Sequence, residues 1–321
     1  VKLIVQIPAW NEEENIAQTI ASIPRQIDGV DRVEVLVVDD GSTDRTAEKA
    51  GQAGADHVVR LTSHRGLAKA FQAGLDACLR LGADIIVNTD ADHQYPGDEI
   101  PRLIQPLLSG EAEMVVGDRG IAADQEYPVI KKGLQRLGTR VVRWLSDTEV
   151  KDATSGFRAL TREAALSLQV ISDFTYTLET IIAAGQKDMA ISSVPVRTNP
   201  PMRESRLFES MPQYLRRSME TMIRIYSRFQ PLRVFGTIGA LLFISGFGIG
   251  IWFLVYYLIA GGKGHVQLLI LSAVLLIIGF QVMLIGLFAD LIASNRKMIE
   301  EILTRLKRIE FSRKNGEAEG R

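Results

Sequence analysis

Ala83-Asp84-Ile85-Ile86-Val87-Asn88-Thr89-Asp90-Ala91-Asp92 is an apolar run that ends in two carboxylates one residue apart. The run reads as a buried strand. Its carboxyl end is the edge at which open α/β sheets bind their ligands. Two hard oxygen donors there suit Mg²⁺ or Mn²⁺, ions that share their coordination with water and with a substrate's phosphates. A second strand of the same kind lies upstream, Val35-Leu36-Val37-Val38, ending in Asp39-Asp40-Gly41-Ser42. Two acidic strand ends in one α/β domain imply a nucleotide–metal site.

Outward from these two strands the pattern alternates. Strands are expected over Lys2–Pro8, Glu34–Asp39, His57–Arg60, Ala83–Thr89 and Ala112–Gly117. Helices are expected over Glu12–Ile23, opening near Asn11, and over Thr46–Ala53, Leu67–Leu81 and Ile100–Leu108. This order argues for an α/β fold with a mainly parallel sheet covered on both faces. Asp40 is expected to cap the helix that follows Gly41-Ser42.

The 321 residues carry a net charge of −1, which hides an asymmetry. Residues 1–200 hold 21 basic and 29 acidic residues, a net of −8, and residues 201–321 hold 16 and 9, a net of +7. The acidic half argues against a nucleic-acid partner. The basic half holds two uncharged apolar runs, Val234–Gly262 and Val266–Ala289. Each exceeds the roughly 20 residues needed to cross a bilayer, and a short turn makes them a transmembrane hairpin. Five arginines precede the hairpin (Arg216, Arg217, Arg224, Arg228, Arg233), and Arg296, Lys297, Arg305, Lys307 and Arg308 follow it. The turn has only Lys263. Basic flanks face the cytoplasm, so the expectation is an integral protein of the cell membrane with its catalytic domain and both termini cytoplasmic. No cleavable signal peptide is visible. The expected divisions are 1–205, a globular domain; 206–232, an amphipathic helix lying in the membrane interface; 233–293, the two spans; and 294–321, a basic tail. A lone cysteine, Cys78, fits a reducing compartment.

Five stretches together resemble the membrane-associated family 2 glycosyltransferases that load a sugar onto a polyprenyl phosphate. They are Ile7-Pro8-Ala9-Trp10-Asn11-Glu12, Val38-Asp39-Asp40-Gly41-Ser42-Thr43-Asp44, Asp90-Ala91-Asp92-His93-Gln94-Tyr95-Pro96, Gly117-Asp118-Arg119 and Asp152-Ala153-Thr154-Ser155-Gly156-Phe157-Arg158. The resemblance implies a GT-A, Rossmann-like catalytic domain. It also implies inverting transfer of a sugar, with mannose or glucose favoured, from a GDP- or UDP-linked donor to a polyprenyl phosphate. In the resulting assignment Asp90 and Asp92 hold Mg²⁺ or Mn²⁺, with Gln94 as a third neighbour. Pro8, Trp10, Glu12, Val37, Asp39, Asp90 and Ala91 form the nucleotide site, with Trp10 standing where the family usually has Tyr. Asp92, Asp152 and Arg119 are the catalytic candidates.

For Asp152 two roles stay open: a base or sugar anchor, and a salt bridge to Arg158. The acceptor is already anionic and needs held positive charge more than a strong base. Arg119, Lys131, Arg197 and Arg206 are the candidates for that charge. The wider cluster Lys131, Lys132, Arg136, Arg140 and Arg143 reads better as a basic face touching lipid.

The competing classes fit less well. A sugar nucleotidyltransferase would open with a glycine-rich phosphate loop, and Pro8-Ala9-Trp10-Asn11-Glu12 has no glycine. A processive polysaccharide synthase would carry a Gln-x-x-Arg-Trp motif, which is absent. Another acceptor, such as a glycolipid or polysaccharide, stays open, as do a non-catalytic scaffold of the same fold and a homo-oligomeric state.

Overall fold

The computed structural model describes residues 1–120, 139–140, 142–143, 146, 148–170, 176–200, 220, 227, 230–260 and 265–319. The chain divides into two compact units, Val1–Met222 with Leu303–Arg321, and Ile223–Ile302.

The first unit is built on a seven-stranded sheet. Its strands are β1 (Lys2–Ala9), β2 (Arg32–Asp39), β3 (His57–Arg60), β4 (Ile85–Asn88), β5 (Met114–Asp118), β6 (Arg158–Thr161) and β7 (Ile191–Pro195). They lie in the order β3-β2-β1-β4-β6-β5-β7. β1 runs parallel to β2 and β4, β2 to β3, and β5 to β7, whereas β6 is antiparallel to both its neighbours.

Strands buried on both faces need continuous apolar runs. Leu3, Ile4, Val5 and Ile7 of β1, and Val35 through Val38 of β2, are fully buried. One face packs on α1 (Ile16–Ser22) and α4 (Ile100–Leu108), where Leu3, Val5, Ile7, Val35, Val37 and Val87 meet Ile16, Ile20, Leu103 and Ile104. The other face is covered by α3 (Leu67–Arg80), whose Ala70, Phe71, Gly74, Leu75 and Cys78 are buried. Helix and sheet approach closely there: a Cβ on Gly74 would lie 2.4 Å from Gln6 Oε1. Three short helices among the described residues also belong to the unit, α2 (Thr46–Gln52), α5 (Arg162–Ser167) and α6 (Tyr176–Gly185).

Two local expectations are corrected. The first helix opens at Ile16, not near Asn11. Asn11 sits at a φ of +53°; its N–H donates to Ser42 Oγ at 2.9 Å and its Oδ1 accepts the Thr43 N–H at 2.9 Å. Its capping chemistry is spent on the loop after β2. Asp40 does not cap α2, because its carboxylate accepts the N–H groups of Arg65 and Gly66, both at 2.8 Å. Asp44 takes the capping role, accepting the Thr46 N–H at 3.0 Å.

The second unit is the hairpin of α7 (Pro231–Ala260) and the first part of α8 (Val266–Glu319). Both helices are long and apolar enough to cross a membrane, and only 11% of each apolar window is buried. That exposure distinguishes them from core helices of a soluble protein. Small residues bring the two backbones together. A Cβ on Gly239 would meet Gly279 O at 2.8 Å, and Ser272 Oγ donates to Gly246 O at 2.6 Å. The expected interfacial helix, 206–232, lies almost wholly outside the described residues.

Candidate active site

The carboxyl ends of β1, β2 and β4 are side by side, so chain segments some fifty residues apart deliver their acidic groups to one edge. The loop after β4 is tied down at several points. Ala91 O accepts the Thr19 hydroxyl at 2.9 Å, and Asp92 Oδ1 accepts the Gln94 N–H at 3.1 Å. Asn199 donates its N–H to Gln94 O at 2.8 Å and its side-chain amide to His93 O at 2.9 Å. His93 takes a φ of +55° to make that turn.

Asp90 lies against Gly156: a Cβ on that glycine would stand 2.7 Å from both carboxylate oxygens. The glycine is held in turn. Its carbonyl accepts the Asn88 amide at 2.8 Å, and its N–H donates to Tyr95 Oη at 3.3 Å. Asn88 also accepts from Gln6 Nε2 at 2.9 Å and donates to Tyr176 Oη at 2.9 Å, which makes a buried polar floor. Burial pushes the Asp90 carboxyl up to about 7. The charge of Asp92 adds to this, and Arg119 and Arg158 act against it.

At the end of β2, Asp39 is fully buried. Its Oδ1 accepts the Ser42 N–H at 3.0 Å. Its Oδ2 has Arg60 Nε at an ion-pair distance of 3.2 Å but receives no hydrogen bond. A buried carboxylate oxygen without a donor is costly unless a ligand supplies one. Beside it, Trp10 stacks on His64, with ring centroids 4.1 Å apart. His64 is steadied by Asp40, whose Oδ2 lies 2.8 Å from Nδ1. Glu12 is buried, and its N–H donates to Thr46 Oγ1 at 2.8 Å. Pro8 is buried at the end of β1. Val37 and Ala91 turn into the hydrophobic core, so of the expected nucleotide residues these two have side chains turned elsewhere.

Three arginines prove to be occupied. Arg119 forks onto Asp152, Nε to Oδ2 at 2.6 Å and Nη2 to Oδ1 at 3.1 Å, and also reaches Thr154 Oγ1 at 2.7 Å. Asp152 therefore pairs with Arg119, not Arg158. Burial works to raise its carboxyl, but the Arg119 bonds and charge and the Thr154 donors outweigh it and hold Asp152 below its ordinary value. That makes it a weak base. Arg158 is fully buried and donates to the carbonyls of Ser155, Ala153 and Thr177 and to Thr180 Oγ1. Burial lowers it to about 10. Arg197, expected at an acceptor phosphate, is held by Glu99 and, at 2.7 Å, by Asp98. Lys131 and Arg206 lie outside the described residues.

The residues present fit a divalent ion. Asp90 and Asp92 repel one another, a repulsion that a cation between them would relieve. Among the described residues no third His, Cys, Asp or Glu completes a protein cage. That is the ligand set of an ion that takes its remaining oxygens from water and substrate phosphates. Gln94 serves this corner through its backbone N–H.

Residues 4–168 match the glycosyl transferase family 2 domain, and residues 230–294 match the GtrB C-terminal hairpin. The chain belongs to glycosyltransferase family 2. Within this family it is 31% identical to the low-salt glycan biosynthesis hexosyltransferase Agl6 of Haloferax volcanii, over 89% of this chain and 68% of that one. It is 32% identical to a dolichol-phosphate mannosyltransferase of Pyrococcus furiosus, over 53% and 49%. Among solved structures, glucosyl-3-phosphoglycerate synthase from Mycobacterium tuberculosis, in complex with Mn²⁺, UDP and phosphoglyceric acid, is 26% identical. It superposes with a TM-score of 0.55 over 70% of this chain and 78% of that chain. This family 2 glycosyltransferase is thus a GT-A enzyme with a membrane hairpin.

Sequence reasoning missed four contributors. His64 and Asn199 gave no signal, since each acts through a loop contact. Asn88 was visible as a polar group closing the apolar run Ile85-Ile86-Val87, the mark of a buried hydrogen-bonded group, whereas Tyr95 lies in a polar stretch that gave no such signal.

Proposed function

We propose that this glycosyltransferase moves a hexose, mannose or glucose, with inversion from a GDP- or UDP-linked donor to a polyprenyl phosphate at the cytoplasmic face of the membrane. The observation that carries the reading is the pair Asp90 and Asp92 at the end of β4, with Asp90 seated against Gly156 and within reach of the charge of Arg119, which forks onto Asp152. The membrane hairpin supports a lipid acceptor, as do the relatives named for dolichyl and polyprenyl phosphates. The basic flanks of the hairpin support the cytoplasmic orientation.

In this reading the nucleoside sits at the end of β2, where Asp39 Oδ2 awaits a donor and the Trp10–His64 stack supplies an aromatic wall. Asp90 and Asp92 hold Mg²⁺ or Mn²⁺, which when bound offsets the charge growing on the departing diphosphate. A phosphate oxygen of the acceptor attacks the anomeric carbon as the bond to the diphosphate breaks. The attacking oxygen carries no proton to remove, so the weak basicity of Asp152 is no obstacle. Its role is to hold the Arg119 guanidinium beside Asp90, a fixed positive charge facing two anionic substrates.

The Mycobacterium structure, with phosphoglyceric acid bound, favours a second reading in which the acceptor is a small phosphorylated acid. A panel of GDP- and UDP-sugars, assayed with Mg²⁺ or Mn²⁺ against a polyprenyl phosphate and against phosphoglycerate, separates the two. Lipid-linked monosaccharide from one donor is the expected product. Transfer only to the soluble acid would replace the reading.

A further inference from the structure

The carboxyl edge of the sheet is crossed by a stretch of chain that carries no acidic residue of its own. β7 leaves the sheet beside β5, with Pro195 in register with Asp118. The chain then runs on as Val196-Arg197-Thr198-Asn199. The Val196 N–H donates to Asp118 O at 2.9 Å, one residue before Arg119. Arg197 pairs with Asp98 at 2.7 Å and with Glu99. Asn199 reaches the loop after β4, although β4 and β7 are three positions apart in the sheet. Its backbone N–H donates to Gln94 O at 2.8 Å and its side-chain amide to His93 O at 2.9 Å. Two successive carbonyls of the loop thus end on one residue.

What this clamp fixes is a peptide plane. His93 O and the Gln94 N–H belong to one trans peptide unit, which is planar, so they point in opposite directions. Asn199 holds the oxygen end, and the other end donates to Asp92 Oδ1 at 3.1 Å. The unit is not held by the preference of its own backbone. His93 sits at a φ of +55°, a left-handed conformation that a residue with a Cβ keeps only when its surroundings impose it. Without the Asn199 donors the peptide is free to turn, and a turned peptide offers Asp92 a carbonyl oxygen in place of an N–H. We propose that Asn199 is a positioning residue for Asp92, an assignment that rests on Asp90 and Asp92 being the ligands of the divalent ion. Through the His93–Gln94 peptide it holds the Asp92 carboxylate in the orientation that receives the ion. A partner that orients a metal ligand in this way is worth roughly 10- to 100-fold in metal affinity. Asn199 is half-buried and Thr198 beside it is exposed, so replacing either leaves the core intact.

The test uses the full chain in lipid nanodiscs, with saturating UDP and, separately, GDP. Mn²⁺ is titrated in, and the free ion is read from its electron paramagnetic resonance signal. Asn199→Ala should weaken Mn²⁺ binding by roughly 10- to 100-fold. Asn199→Leu should do the same, since it fills the space without supplying a donor. Thr198→Ala should bind Mn²⁺ as the unmodified chain does. Under turnover, Asn199→Ala should regain the unmodified kcat at saturating Mn²⁺, whereas Asp92→Ala should not at any concentration. Unchanged Mn²⁺ affinity in Asn199→Ala would overturn the proposal, even if that variant melts lower, because its role would then be structural only. Full affinity in Asn199→Leu would overturn it too, since packing and not the donated bond would then matter. An Asp92→Ala chain that binds Mn²⁺ as tightly as the unmodified one would instead remove the ion from Asp92, and the proposal with it. So would an unmodified chain that binds no Mn²⁺ with either nucleotide.

Discussion

Replacing Asp90 by asparagine should stabilise the fold while abolishing transfer. Asparagine matches aspartate in shape, so it fits against Gly156 without a new contact. What it removes is a carboxylate that burial and the charge of Asp92 push from 3.8 to about 7. At about 1.36 kcal/mol per pH unit, that displacement sets a ceiling of about 4 kcal/mol on the cost of keeping Asp90 charged in the folded state. An acid raised in this way binds its proton more tightly folded than unfolded. Its destabilising effect is therefore complete above pH 7, shrinks as pH falls, and is gone below about 4. At pH 5.5 the folded carboxyl is largely protonated, and the ceiling drops to about 2 kcal/mol by the same conversion. Thermal unfolding of the metal-free protein at the two pH values is the assay. Asp90→Asn should melt higher than the unmodified chain, with about twice the gain at pH 8 as at pH 5.5. Each kcal/mol is worth roughly 2–4 °C for a domain of this size. Adding Mn²⁺ with UDP or GDP should raise the unmodified chain alone. A variant no more stable at pH 8, or a gain equal at both pH values, would refute the claim that burial and the neighbouring charge of Asp92 destabilise a charged Asp90 until a cation binds.

Further expectations follow from the same geometry. Gly156→Ala places a methyl 2.7 Å from the Asp90 oxygens, so turnover should collapse and the metal requirement rise, read from activity against Mn²⁺ concentration. Asp39→Asn replaces the oxygen that lacks a donor by an amide. Isothermal titration with nucleoside diphosphate should show affinity reduced by roughly 10- to 150-fold, the worth of one charge-assisted hydrogen bond of about 1.5–3 kcal/mol. Arg119→Lys keeps the charge but loses the fork onto Asp152; kcat should fall with donor KM little changed, and a loss confined to donor KM would place Arg119 at the diphosphate. Asp152→Asn leaves Arg119 without its counter-charge. Because Asp152 is held below its ordinary value, the stability that the pair contributes should be present at neutral pH and vanish only as pH falls below about 4, as pH-dependent melting of the two proteins will show.

The amino-acid sequence by itself determined the elements with long-range periodicity or uninterrupted burial. The runs of β1, β2 and β4 are apolar because both their faces are covered. α3 carries its apolar residues at helical spacing, and the two uncharged stretches after Arg233 are each long and apolar enough to cross a membrane. The acidic ends of β2 and β4 were legible for the same reason, since carboxylates directly after buried strands can only emerge at the sheet edge. Tertiary structure decided what those carboxylates and arginines do. β6 is four residues long and antiparallel, too short for periodicity to announce, yet it brings Gly156 against Asp90. Arg119, Arg158 and Arg197 are alike in sequence. One forks an aspartate, one is buried among carbonyls, and one is neutralised at the surface, because a guanidinium takes whichever acceptors the fold sets within reach. Asp40 and Asn11 have the chemistry of helix caps and spend it on loops. Hydrogen-bonding capacity is written in the residue type, but its partner is chosen by residues from distant parts of the chain that only folding brings together.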